Sequence, residues 1–174
     1  MNTYVKRDTY LNRLIVRRDN GQVKAITGPR RAGKSFLLDP IYKDYLLGQG
    51  VPEDHIISIS FDIEDEDTPQ ELLDREKLKE YLYSRIKSDT DSYFVFLDEI
   101  QECSDARTAI KFLVEDGSYD YIESGSLLGI NYKNSEDETE ESDDGDIASV
   151  PVGYEDTLDM YPLDFEEFLL ACQM

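Results

Sequence analysis

The stretch GPRRAGKS, residues 28–35, lies between the apolar runs VKAIT and FLL and is made of residue types that suit phosphate. Phosphate carries dense negative charge on several oxygens. Backbone N–H groups at a helix start, aided by the helix dipole, bind it at little cost. Gly28 and Gly33 let the backbone turn and approach closely, Lys34 supplies a mobile cation for the β and γ phosphates, and the Ser35 hydroxyl can take a coordination place on Mg²⁺. Pro29, Arg30, Arg31 and Ala32 inside the loop and Phe36 after it complete the expected nucleotide contacts, with Arg30 and Arg31 either approaching phosphate or facing solvent. The competing reading is an ordinary basic turn. The strand-like run before the loop and the helical pattern after it are what a phosphate loop requires.

A nucleotide bound there needs a second Mg²⁺ partner and a group that orients water, both at the end of a neighbouring apolar strand. FVFLDE supplies them: Asp98 to hold Mg²⁺ through its water shell and Glu99 to polarise the attacking water. By itself, an apolar run ending in Asp-Glu is also how many strands enter an acidic loop. Next comes ESGS, where Ser124, with Ser126 second, is the candidate to contact the γ phosphate or the attacking water, against the alternative of a Ser-Gly turn.

These residues need a parallel sheet covered by helices, and apolar runs alternating with helical patterns predict one. VKAIT (23–27), HIISISFD (55–62), YFVFLDE (93–99) and YDYIES (119–124) read as strands, with a fifth around 158–161. SFLLDPIYKDYLLGQG (35–50) reads as a helix kinked or broken at Pro40. PQELLDREKLKEYLYSRIK (69–87) reads as an amphipathic helix with a proline at its start, and ARTAIKFLVEDG as a shorter helix ended by Gly117. Residues 134–146 hold no apolar side chain and are expected to form a mobile loop.

The 174 residues suit one compact domain, 1–174, with residues 1–20 as a basic helical lead-in. Eighteen basic and 39 acidic residues give a net charge of −21, which opposes nucleic acid and anionic membrane over most of the surface. Yet residues 1–34 carry nine Lys or Arg against two Asp, so a local anion site is compatible with an acidic whole. With no apolar span, no signal-peptide core, two cysteines outside any C-x-x-C pair and a single histidine, the expected setting is the cytoplasm without a Cys/His metal site. His55 reads as a surface residue, and the acidic residues 62 and 64–67 as a solvated turn. Tyr81, Tyr83, Tyr119, Tyr121 and Tyr132 read as packing aromatics before adenine platforms.

In order, GPRRAGKSFLL, FVFLDEIQE, YIESGSLL and YPLDFEEFL resemble the AAA-type ATPase domain that opens a large group of bacterial and archaeal predicted ATP-binding proteins. The resemblance implies an α/β fold, the P-loop NTPase three-layer sandwich, with strand order 5-1-4-3-2, and ATP with Mg²⁺ as ligand. By position, Lys34 and Ser35 match the Walker A pair, Asp98 and Glu99 the Walker B pair, and Ser124 the sensor polar residue. Gln101 falls in the family's Asp-Glu-x-Gln run, with a positioning or a packing role. Relatives usually continue into a C-terminal domain that is expected to be lacking here, and many carry a Gly-Arg pair where this chain reads ASVPVGYEDTL, which leaves an arginine finger unassigned. The expected function is Mg²⁺-dependent ATP hydrolysis, coupled to a protein partner, self-association or a further C-terminal segment. The alternatives are an ATP-binding switch without turnover and, less favoured, a small-molecule P-loop kinase, which the acidic rather than arginine-rich 134–146 segment argues against.

Overall fold

The computed structural model describes residues 4–5, 7–62, 74–87, 92–117, 119–126 and 155–172. A helix, α1 (Asp8–Arg17), leads into β1 (Val23–Gly28), the loop, and α2 (Lys34–Phe36). The chain kinks within Leu37–Tyr42 and continues as α3 (Lys43–Gly48), and β2 (Ile56–Ser60) follows. Then come α4 (Arg75–Arg85), β3 (Tyr93–Asp98), α5 (Ser104–Asp116), β4 (Tyr119–Ser126), β5 (Glu155–Asp159) and α6 (Phe165–Ala171). All pairings in the five-stranded sheet are parallel, and the order is β2-β3-β4-β1-β5, the expected 5-1-4-3-2 read from the other edge.

Alternation along the strands sends side chains to two cores. On one face Ile57, Ile59, Val95, Leu97 and Tyr121 pack with Leu78 and Leu82 of α4 and with Ala106, Ala109, Ile110 and Leu113 of α5. On the other face Ile26, Phe94, Phe96 and Ile122 pack with Leu14 of α1 and with Leu37, Leu38, Ile41, Tyr42 and Leu46. Each such large apolar side chain contributes about 1.5–3 kcal/mol by leaving water, so the two cores hold the sheet rigid between its helical layers.

Three local boundaries differ from the sequence reading. The helix placed at 69–87 starts at Arg75, because the Asp74 carboxylate accepts from the Glu76 and Lys77 amides, each at 3.0 Å, and caps it; residues 69–73 lie outside the described residues. The fifth strand is Glu155–Asp159 rather than 158–161, since its polar first half is held by backbone pairing to β1 from Val23↔Glu155 onward. The fourth strand runs on to Ser126, paired Thr27↔Gly125 and Gly28↔Ser126. Pro40 breaks the helix as expected, with Asp39 before it at φ −132°, ψ 114°, and α5 ends at Gly117 with φ 68°. His55 is a correction: it is half-buried and stacks on Tyr93 with ring centroids 4.2 Å apart. Tyr119 and Tyr121 belong to the core beneath α4 and α5, as the packing reading requires. Residues 64–67, 134–146 and Tyr132 lie outside the described residues.

Candidate functional site

The carboxyl ends of β1, β3 and β4 meet at one edge of the sheet, where ligands of open α/β folds collect. The loop after β1 is shaped by left-handed residues, Arg31 at φ 64° and Gly33 at φ 90°, and Gly33 is the cap from which α2 starts. Successive turns of this kind aim backbone N–H groups into an anion-binding concavity. Lys34 is buried, and its Nζ reaches back across the loop to the carbonyls of Gly28 at 3.3 Å and Pro29 at 3.1 Å. Ser35 and Phe36 are exposed at the start of α2, as are Pro29, Arg30 and Arg31 on the loop, while Ala32 is buried.

Gly28 has a reason that the sequence does not show. A Cβ there would lie 2.1 Å from the Met160 carbonyl oxygen, so the glycine admits the protein's own chain at the end of β5. Met160 is fully buried, its amide donates to the Thr27 carbonyl at 2.7 Å, and its methyl lies 3.7 Å from where a Gly33 Cβ would stand. The end of β5 is thus the floor of the loop, fixed further by the Thr27 hydroxyl on the Asp159 carboxylate at 2.7 Å.

Asp98 and Glu99 end β3, both half-buried. The Ser124 hydroxyl donates to Asp98 Oδ1, and Ser124 is fully buried. Glu99 is held at φ 53°, the Gln101 amide donates to its carboxylate, and Gln101 Oε1 accepts from the Ser126 amide at 3.2 Å. Gln101 therefore strings the carboxylate of Glu99 to the end of β4. Among the described residues neither Asp98 nor Glu99 pairs with a Lys or Arg; both receive neutral donors only. Two carboxylates left without an internal cation suit an external one.

No group of three or more His, Cys, Asp or Glu side chains that could hold a metal occurs among the described residues. The donor set fits Mg²⁺, which takes one or two carboxylates or hydroxyls and completes its shell with phosphate oxygens and water.

Lys34, Asp98, Glu99, Ser124, Gly28 and Gly33 are thus gathered at one edge. Ser124 faces Asp98, whereas the residue level with the loop is Ser126, opposite Gly28. Four of the nine basic side chains of residues 1–34 are spent on ion pairs: Arg7 on Glu167, Arg17 on Asp156, Arg18 on Asp19 and Lys24 on Asp120. The sequence reading missed Arg7, whose partner lies 160 residues away and leaves no spacing signal. No helix among the described residues is long and apolar enough to cross a membrane.

A parallel sheet in this order with a glycine-hinged lysine loop at its carboxyl edge defines a P-loop NTPase of the AAA type. The chain belongs to the AAA domain family, whose model matches residues 20–169. An uncharacterised protein of Haemophilus influenzae is 28% identical over 167 residues, which cover 96% of this chain and 38% of that protein's length. Among solved structures, a chain in the structure of Drosophila ORC bound to DNA shares the fold with TM-score 0.51 at 10% identity, over 71% of this chain and 79% of that one.

Proposed function

We propose that this domain binds ATP with Mg²⁺ and hydrolyses the β-γ bond. The observation that carries the reading is the pairing at one sheet edge of an excess cation with an excess of negative charge. Among the described residues, Lys34 is held only by loop carbonyls, and Asp98 and Glu99 are held only by neutral side chains. Lys34 and the loop amides, with the backbone of residues 28–36, bind the phosphates. Ser35 and Asp98 hold the metal, which neutralises charge developing on the phosphate oxygens when bound. Ser124 orients Asp98, Ser126 takes the strand-end position beside the loop, and Glu99, steered by Gln101, draws a proton from the attacking water.

The test is phosphate release by the wild type and by Glu99→Gln. The expected result is a loss of about 100-fold or more with ATP affinity kept. If the wild type releases phosphate no faster than the variant while both bind ATP, the enzyme reading fails. The domain is then an ATP-dependent switch, a reading favoured by one observation: the Glu99 carboxylate is tied to Gln101 and must be freed to meet water.

Nucleotide state is coupled to a protein partner, a second copy or a further segment, in keeping with a relative of which this chain spans 38%. Nucleic acid is disfavoured as partner by the charge of −21 and by a basic end already engaged in ion pairs. Cys103 and Cys172 form no disulfide, which suits the reducing cytoplasm.

A further inference from the structure

Arg7 lies outside the phosphate-loop pattern, yet its guanidinium is built into the loop. The residue stands just before α1 at φ 50°, is 5% exposed, and donates from three nitrogens. Nη1 reaches the Ala32 carbonyl at 3.0 Å, Nη2 the Tyr161 carbonyl at 2.7 Å, and Nε the Glu167 carboxylate at 2.8 Å. The Tyr10 ring covers the cation at 4.6 Å. One side chain thereby joins the chain's start, the loop after β1, and both the entry and the first turn of α6.

The Ala32 contact matters because a trans peptide is planar and its C=O and the following N–H point in opposite directions. The Ala32–Gly33 bond is trans. A carbonyl drawn to Arg7 therefore turns the Gly33 N–H away from Arg7, and among the described residues that N–H has no acceptor. Gly33 follows at φ 90°, where glycine rotates cheaply and would not hold this orientation unaided. Tyr161 and Glu167 hold the other half of the same guanidinium, so displacing α6 loosens its grip on Ala32.

Resting on the reading of this edge as an ATP site, we propose that Arg7 is a positioning residue for the phosphate loop: it presets the Gly33 N–H toward a phosphate oxygen and makes that setting depend on the place of α6. Linkage then requires reciprocity. Whatever shifts α6 changes nucleotide affinity, and nucleotide changes the hold on α6 by the same factor.

The experiment measures Mg²⁺-ATP affinity by calorimetry for the wild type, Arg7→Ala, Arg7→Lys and Glu167→Gln. Beside it runs the rate at which an aromatic disulfide reagent modifies Cys172, with and without ATP. Cys172 is exposed just past α6 and Cys103 is buried, so the rate reports on α6. Arg7→Ala is expected to weaken affinity about 10- to 30-fold, Arg7→Lys to recover part of that, and Glu167→Gln, which can still close the helix cap through Asp164, to cost about threefold. ATP is expected to slow Cys172 modification in the wild type, to slow it less in Glu167→Gln, which keeps the Tyr161 contact, and to leave it unchanged in Arg7→Ala. Should Arg7→Ala fail to fold, Arg7→Lys and Glu167→Gln decide the matter. Absence of ATP binding by the wild type overturns the site reading and this inference together. Wild-type binding with folded variants all within twofold of it, or a Cys172 rate indifferent to ATP in the wild type, overturns the inference alone.

Discussion

Two pairs of acidic residues sit on neighbouring strands and are treated in opposite ways. Asp120 and Glu123, along β4, are buried and have their charge closed within the fold: Lys24 donates to Asp120, and burial favours the neutral form of Glu123, with Arg107, 3.8 Å from Glu155, opposing that only in part. Asp98 and Glu99, at the end of β3, receive a hydroxyl and an amide and, among the described residues, no cation. Charge closed inside the fold maintains structure. Charge left open at the edge beside a lysine-bearing loop is available to a ligand.

The comparison breaks most visibly at the closed pair. Asp120→Asn strands the Lys24 ammonium, only 1% exposed, and is expected to cost about 3–5 kcal/mol in urea unfolding while folded protein keeps its ATP affinity. A loss of affinity larger than the loss of stability would make the closed pair part of the site. At the open pair the reverse holds: Gln101→Ala removes the strut between Glu99 and the Ser126 amide, and should lower the turnover rate about tenfold with KM and melting temperature little changed. A change confined to melting temperature would reduce Gln101 to packing.

A third effect is in pH. Burial pushes the Glu123 carboxyl up to about 8, helped by Glu155 and opposed by Arg107, and among the described residues its Oε1 has no hydrogen-bond partner. Because the folded state holds this proton more tightly than the unfolded chain does, its contribution is intact below the ordinary glutamate range and is lost as pH rises toward 8. Wild-type melting temperature should therefore fall between pH 5 and 8 more steeply than that of Glu123→Gln. Parallel curves would show that Glu123 is ionised throughout.

How legible this was depends on the range of the interactions. Periodicity and turn chemistry are local, so β1, β3, the break at Pro40 and the stop at Gly117 were readable, as were the loop and the Asp98-Glu99 strand end. Strand ends lacking apolar residues were not: Gly125 and Ser126 extend β4 only because β1 pairs with them, and without that extension Ser124 looked like the end of the strand. The need for Gly28 comes from Met160, the function of Arg7 from Ala32, Tyr161 and Glu167, and the burial of Lys24 from Asp120. Such contacts between residues 25–160 positions apart leave no spacing for a sequence to show.

The most direct measurement is calorimetric titration of ATP with and without Mg²⁺ into the wild type and Lys34→Ala. One site is expected, with an affinity that depends on Mg²⁺ and falls about 100-fold or more when the ammonium is removed. Binding that survives Lys34→Ala unchanged, or a folded wild type that takes no ATP, would contradict it.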